Sequence, residues 1–124
     1  MKHLVLLMAS ALCAQGCGEA LAQEEVEVVA PCASTEDGVW ESSPWRGESE
    51  TCFYLPFSSR TTYRFLHDLG RQPRSVDLYV SFDDAAASVA PPAGDMSRIL
   101  EVTDEVVVVQ NQTNEDFFVR VVLR

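Results

Sequence analysis

Hydrophobic and polar positions alternate with a period of two along much of this chain. The clearest run is 75–82, where Val76, Leu78, Val80 and Phe82 share one face and Ser75, Asp77, Tyr79 and Ser81 the other. Alternation of that length marks a half-buried strand. Upstream, Tyr63 and Phe65 alternate with Thr62, Arg64 and Leu66 before His67-Asp68-Leu69-Gly70 turns the chain. Downstream the pattern predicts a meander of Ile99 to Thr103, Val106 to Gln110 and Phe117 to Leu123, turning at Asp104-Glu105 and through Asn111 to Asp116. Asp83 to Ser97, rich in Ala, Pro and Gly, reads as a loop. No helical period of similar strength is present, so the chain is all-β.

The first half is less regular. Val26, Val28 and Val29 hint at a strand inside the charged stretch Gln23 to Pro31. Cys32 to Cys52 is rich in Ser, Glu, Gly and Pro around Trp40 and Trp45, and reads as an excursion holding a short irregular hairpin. Phe53 to Phe57 is apolar, and Pro56 suits an edge position because it has no N–H to give to a sheet.

Two C-terminal strands carry apolar residues on both faces. Val106 to Val109 is uninterrupted, and the last strand sets Phe117, Val119, Val121 and Leu123 against Phe118 and Val122. A sheet with one wet face would alternate cleanly, so both faces need cover. One can pack against the opposite sheet of a sandwich. The other needs the Trp-bearing segment 32–57 or a second subunit, and the aromatic residues of that segment, which need burial themselves, favour intramolecular cover.

A different pattern opens the chain. Met1-Lys2-His3 is cationic, Leu4 to Ala14 is apolar except for Ser10, and Ala20-Leu21-Ala22 closes an A-x-A segment. This is the layout of a cleavable secretory signal, and the apolar run is too short to span a bilayer. Cleavage after Ala22 leaves Gln23 first. The alternative takes Ala14-Gln15-Gly16-Cys17 as a lipobox, resembling bacterial lipoprotein signals with Gly18 following, and makes Cys17 a lipidation site. Ala14 and Gln15 depart from the usual residues there. In both readings the protein is exported, and it meets a membrane only through that lipid anchor.

Export bears on the cysteines. Cys13 and Cys17 fall in the signal region, leaving Cys32 and Cys52, which have one internal pairing in an oxidising compartment. Closing a loop of this size stabilises the fold by about 3 kcal/mol in the chain-entropy account. That support matters, since 124 − 22 = 102 residues make one domain with a modest core. The expected organisation is a signal at 1–22, an acidic disulfide-closed leader at 23–57 and a small antiparallel β-sandwich at 58–124.

Net charge is −10, from 9 basic and 19 acidic residues. Past residue 22 every cation is an arginine, and residues 23–50 hold eight carboxylates against Arg46 alone. So acidic a surface repels phosphates and excludes nucleic acid as a partner. The acidic leader reads first as a solvated segment that keeps the protein soluble.

Tyr63-Arg64-Phe65-Leu66-His67-Asp68-Leu69-Gly70, then Pro73 and Val76 to Phe82, resembles the opening of small β-sandwiches of the H-type lectin kind, similar pieces of which occur at phage tail-fibre tips. The ending, Asn-Gln-Thr-Asn-Glu-Asp before Phe-Phe-Val-Arg-Val-Val-Leu, is similar to the closing hairpin of those domains. The resemblance covers about the last 60 residues. It implies a compact sandwich, a homo-oligomer such as a trimer or hexamer, and recognition of surface glycans. It carries no binding residue onto this chain.

Candidate chemistry is sparse. His67-Asp68 offers a base beside a carboxylate, but neighbours in a turn point apart and no activated nucleophile accompanies them. Asp83-Asp84, Asp95, Asp104-Glu105 and Glu115-Asp116 sit in expected turns, which recruit Asp for their own reasons, and match no calcium-loop spacing. One mature His and two Cys make no zinc set. Asn111-Gln112-Thr113 matches a glycosylation sequon that a bacterial signal makes incidental. Trp40, Trp45 and Tyr54 are the candidate binding residues: exposed, they would stack on sugar rings; buried, they would cover the outer face of the C-terminal sheet. The function expected is an exported, non-catalytic binding module without cofactor or metal, glycan being the leading ligand. The alternative is a structural envelope (lipo)protein held by protein contacts.

Overall fold

The computed structural model describes residues 24–45 and 48–124. The signal segment 1–22 and the alternative lipidation site Cys17 lie outside the described residues.

Ten strands follow in order: β1 (Glu25–Val28), β2 (Ser34–Glu36), β3 (Val39–Glu41), β4 (Leu55–Phe57), β5 (Thr62–Leu66), β6 (Val76–Ser81), β7 (Val89–Ala90), β8 (Ser97–Val102), β9 (Val106–Asn111) and β10 (Phe117–Leu123). They form a four-stranded sheet, ordered β1-β5-β9-β8, and a six-stranded sheet, ordered β2-β3-β10-β6-β7, with β4 also paired to β10. The alternation read from sequence decides which residues meet between them. Tyr63, Phe65, Val107 and Val109 face inward from one sheet; Leu78, Val80, Phe117, Val119, Val121 and Leu123 face them from the other. Val107, Val109, Val119, Val121 and Leu123 are completely shut from solvent. The chain is an all-β sandwich, stapled by a Cys32–Cys52 disulfide with Cα atoms 5.8 Å apart.

The segment expected as a separate leader is woven into this sandwich. β1 joins the four-stranded sheet, whereas β2, β3 and β4 join the six-stranded one. Trp40 and Phe57 enter the core. The boundary at 57 therefore divides nothing physical, because the core of so short a chain needs those side chains. β1 lies parallel to β5, in register from Glu25↔Thr62 to Val28↔Phe65. This departs from a purely antiparallel sandwich. A parallel pair needs a long connection, and the chain supplies it by visiting the opposite sheet between the two strands. β2 and β3 form a regular hairpin with the two-residue loop Asp37-Gly38, both at positive φ (53° and 77°). That is the turn whose twist suits flanking strands.

Two other features differ from expectation. β6 stops at Ser81, whose hydroxyl accepts from the Asp83 N–H at 3.3 Å as the chain turns. Phe82 thus leaves the inner face and lies 76% exposed, its ring tilted over Phe117 at 5.1 Å. The loop 83–97 contains β7 and a single 3-10 turn, Gly94–Met96. Asn111 of the sequon is fully buried: its Nδ2 donates to the carbonyls of Phe57 and Glu115, and its Oδ1 accepts from the Thr113 N–H and hydroxyl. The amide a glycan would take is spent tying the β9–β10 turn to β4.

β10 positions the candidate site. It pairs with β6 from Phe118 to Leu123 on one edge. On the other, β3 occupies Val122–Leu123 and β4 occupies Phe117–Val119. Between them the chain leaves the edge at Ser42 and returns at Leu55, and the first part of this excursion brings Ser43 and Trp45 onto the outer face of the sheet.

Candidate functional site

The exit from the edge is built from two serines. Ser42 donates its N–H to the Val121 carbonyl at 2.9 Å, and its hydroxyl accepts from the Val121 N–H at 2.8 Å. One side chain so fills the ladder position that β3 and β4 leave vacant. Ser43 follows and presents its carbonyl to Arg120 Nε at 2.9 Å.

Arg120 is the centre of the arrangement. Alternation along β10 points it to the outer face, where only 1% of it reaches solvent. An uncompensated charge at that depth would cost several kcal/mol, and three partners prevent this. Glu41 on the neighbouring strand takes Nη2 at 2.9 Å, Ser43 takes Nε, and the Trp45 ring lies over the guanidinium with its centroid 3.9 Å from Cζ. Tyr79, opposite Arg120 on β6, meets Trp45 edge to face at 4.7 Å. A cation over an indole face contributes roughly 0.5–2 kcal/mol, the more so when desolvated. Trp45 is therefore fixed from below and beside while 41% exposed.

The three aromatic candidates are not brought together as one exposed platform. Trp40 is 3% exposed and on the inner face, opposite Leu123 and edge-on to His67 at 6.4 Å. Tyr54 is 4% exposed, and its hydroxyl has no hydrogen-bond partner among the described residues. Burial pushes that hydroxyl above its ordinary value of 10.0; the Arg120 charge opposes the shift and Tyr79 adds to it. Trp45 alone of the three presents a ring to solvent. Trp40 belongs to the core because β3 pairs in register with β10, which sends Trp40 inward and Glu41 outward.

His67 is also committed. Leu69 N–H donates to its Nδ1 at 3.0 Å, and its Nε2 lies 3.0 Å from the Thr103 carbonyl. One nitrogen holds main chain of the β5–β6 connection and the other meets main chain of the β8–β9 turn, so the ring ties the two turns together. Among the described residues no three His, Cys, Asp or Glu side chains converge as a metal site.

Farther along the outer face, two adjoining hollows of about 310 and 290 Å³ lie around the β2–β3 hairpin. Asp37, Gly38, Val39, Arg71, Arg74 and Arg124 line the first; Ser34, Glu36 and Glu41 join Asp37, Val39 and Arg124 around the second. Composition gave no sign of this: the arginines are scattered through an acidic chain and meet only once the hairpin is in place. Arg120 carried a readable signal, a lone cation within an apolar strand. Comparison with protein-family models, with curated proteins and with solved structures finds no match for the chain.

Proposed function

We propose that this protein is an exported, non-catalytic binding module whose ligand is a glycan, received on the outer face of the six-stranded sheet at Trp45. One observation carries the reading: Trp45 offers an open ring that Arg120 and Tyr79 already hold in place. A fixed aromatic surface loses little entropy when a sugar stacks on it, so more of the contact energy becomes affinity. Glu41 and the neighbouring hollow, with Ser34 and Glu36, supply acceptors for hydroxyl groups beside the ring. The secretory pattern of residues 1–22 and the resemblance of the C-terminal half to H-type lectins lend fold-level support.

The test exploits an asymmetry between the two tryptophans. Trp40 is buried and Trp45 exposed, so fluorescence quenched by acrylamide reports on Trp45. The oxidised exported protein is screened on a glycan array, and the best saccharide is titrated against quenching. Selective binding that protects the fluorescence and vanishes in Trp45→Ala is the expected result. Absence of binding across a broad array defeats the proposal.

The second reading, an envelope protein held by protein contacts, draws on apolar side chains left at the surface: Phe82, Ile99 and Leu100, each about half exposed or more. A stoichiometric protein partner recovered from the envelope, with no saccharide bound, would establish it.

A further inference from the structure

Strand β8 is an edge of the four-stranded sheet, and among the described residues no strand pairs beyond it. The Gln112 N–H donates to the Met96 carbonyl and the Thr103 N–H to the Val106 carbonyl, both at 2.9 Å. In an antiparallel ladder such bonds flank widely spaced pairs, here Ser97↔Asn111 and Val102↔Val107. The main-chain groups of Ser97 and Val102 therefore point away from β9. Two contacts agree: Asn111 gives its N–H to Thr61 on the far side at 3.0 Å, and the Gln72 amide reaches the Val102 carbonyl at 3.1 Å. Ile99, two residues on from Ser97, shares that direction, so β8 presents unused main-chain donors and acceptors along its free edge.

A bulge makes this edge complementary to itself. Arg98 stands opposite Gln110, Ile99 opposite Val109 and Glu101 opposite Val108, so Leu100 is the extra residue. Measured along β9, Arg98 and Glu101 lie one position to either side of Ile99, and Ser97 and Val102 lie two. A second copy laid antiparallel on the edge, with a two-fold axis at Ile99, pairs Ile99 with Ile99 and Ser97 with Val102 through the free main-chain groups. The same register sets Arg98 against Glu101 of the second copy, once on each side of the axis. Without the extra residue Arg98 would meet Leu100 instead. Bulges commonly blunt an exposed edge; this one brings opposite charges into register.

The side chains of β8 lack cover in a single copy. Ile99 shares the inner face with Val109, which is completely buried, yet Ile99 is 48% exposed and the bulged Leu100 52%. Arg98 is exposed and has no carboxylate within ion-pair distance among the described residues. Glu101 meets Arg64 through Oε2 at 3.4 Å, and its other oxygen has no ionic partner there. Residues 97–102 hold one charge of each sign in a chain of net charge −10, a neutral strip along which a second acidic copy can approach.

We infer that β8 is a self-association edge: two copies join antiparallel about Ile99, so that four strands from each form one continuous sheet, with Arg98 and Glu101 paired across the axis. The same patch serves both copies, so the contact closes on a dimer and leaves no free end for further growth. It is small, and two acidic copies repel one another, which sets the expected dissociation constant at roughly 10–100 μM. Well below that concentration the protomers separate, and Glu101 has Arg64 as its ionic partner. The inference stands independently of the Trp45 reading.

Charge reversal tests it. The oxidised exported protein is followed by sedimentation velocity from about 1 μM to 1 mM. Salt is held at about 0.15 M, where a screening length of about 8 Å mutes the long-range repulsion between copies. Wild type should pass from monomer to dimer over this range. Arg98→Glu and Glu101→Arg should each raise the dissociation constant about tenfold, because each turns two opposite-charge pairs into two like-charge pairs. An equimolar mixture of the two variants should dimerise as wild type does, since every reversed side chain then meets the opposite charge. The Ile99 amide should exchange with solvent more slowly in concentrated than in dilute wild type, as its N–H enters the new ladder. Both substitutions are at exposed positions, and circular dichroism matching wild type shows that the variants fold. A monomer up to the highest concentration, a trimer, or a dimer indifferent to both reversals overturns the inference. So does a mixture no tighter than either variant alone, because Arg98 and Glu101 then do not face each other across the axis.

Discussion

Each sheet carries an arginine on its outer face that reaches a glutamate on a neighbouring strand, and the two pairs have little else in common. Arg120 on β10 meets Glu41 at 2.9 Å with its side chain 1% exposed. Arg64 on β5 meets Glu101 at 3.4 Å and Glu25 at 3.9 Å with its side chain 36% exposed. The difference is the chain that lies over Arg120. The excursion from Ser42 to Tyr54, anchored through Cys52 to Cys32, places Trp45 and the Ser43 carbonyl on the guanidinium. Over the four-stranded sheet the described residues provide no such segment. There Arg64 and Glu101 flank Val108 in register, and their contact across it is the cover that keeps Val108 at 4% exposure. The same pair of residue types acts as a buried clamp in one place and a solvated lid in the other.

The contrast breaks first at Arg120. Arg120→Ala removes the core of the clamp, leaves the Ser43 carbonyl without its donor and opens a void beneath Trp45. A loss of about 3 kcal/mol is expected in urea unfolding, in the range measured for broken buried pairs. Arg120→Met, which keeps volume but not charge, should recover much of it, since a packed apolar side chain often replaces a buried ion without loss. The comparable Arg64→Ala should cost less than half as much as Arg120→Ala. Equal losses for the two arginines would show that the overlying segment contributes nothing to the difference.

The buried side of the contrast also carries a pH dependence. Tyr54 packs near Arg120, and burial holds its hydroxyl above the ordinary value of 10.0. The folded protein consequently keeps that proton when the unfolded chain has begun to lose it. Above about pH 10 the unfolded state binds fewer protons, so stability falls as pH rises. Tyr54→Phe should remove this part of the alkaline loss. At neutral pH it should leave stability equal or raised, by up to about 1 kcal/mol, because the hydroxyl it deletes has no hydrogen-bond partner among the described residues. Thermal melts of both proteins from pH 7 to 11 check the two claims together.

How much of this was legible in the sequence depended on the reach of the signal. β6, β9 and β10 could be read to within a residue because side-chain alternation is local and the opposite sheet rewards it directly. The Cys32–Cys52 bridge followed from there being two cysteines beyond the signal-like segment. Pairings between distant segments left no such trace: nothing in Glu25 to Val28 announces a parallel partner at Thr62 to Phe65, and the leader therefore looked separable. The same blindness affected the site. Trp40 and Trp45 are five positions apart in one Ser- and Glu-rich stretch, yet register with β10 sends the first inward while the excursion carries the second over Arg120. Arg71, Arg74 and Arg124 become a cleft only when the hairpin and the end of β10 meet.

The smallest effect is expected at the solvated lid. Glu101→Gln keeps the shape of the side chain and deletes its charge, so it measures the ionic part of the cover over Val108 and little else. With Arg64 and Glu101 both over a third exposed, the pair gains modest Coulomb energy and loses side-chain freedom in holding one geometry, which sets its worth at roughly 0.2–1 kcal/mol. Glu25 stands 3.9 Å from the same Nη1 and takes over part of the attraction when Glu101 is neutral, pushing the cost toward the lower end. Salt supplies the discriminating arm. Raising ionic strength from about 0.01 to 1 M shortens the screening length from about 30 to 3 Å, so the small difference between wild type and Glu101→Gln should vanish. The deficit of Arg120→Ala, whose guanidinium is 1% exposed and also held by the Ser43 carbonyl and the Trp45 ring although Glu41 is 35% exposed, should largely persist under the same change. A Glu101→Gln deficit that resists salt would mean that Arg64 and Glu101 are held as tightly as the clamp on the opposite sheet, and that a strand's own side chains can seal a β-sheet face without a covering segment.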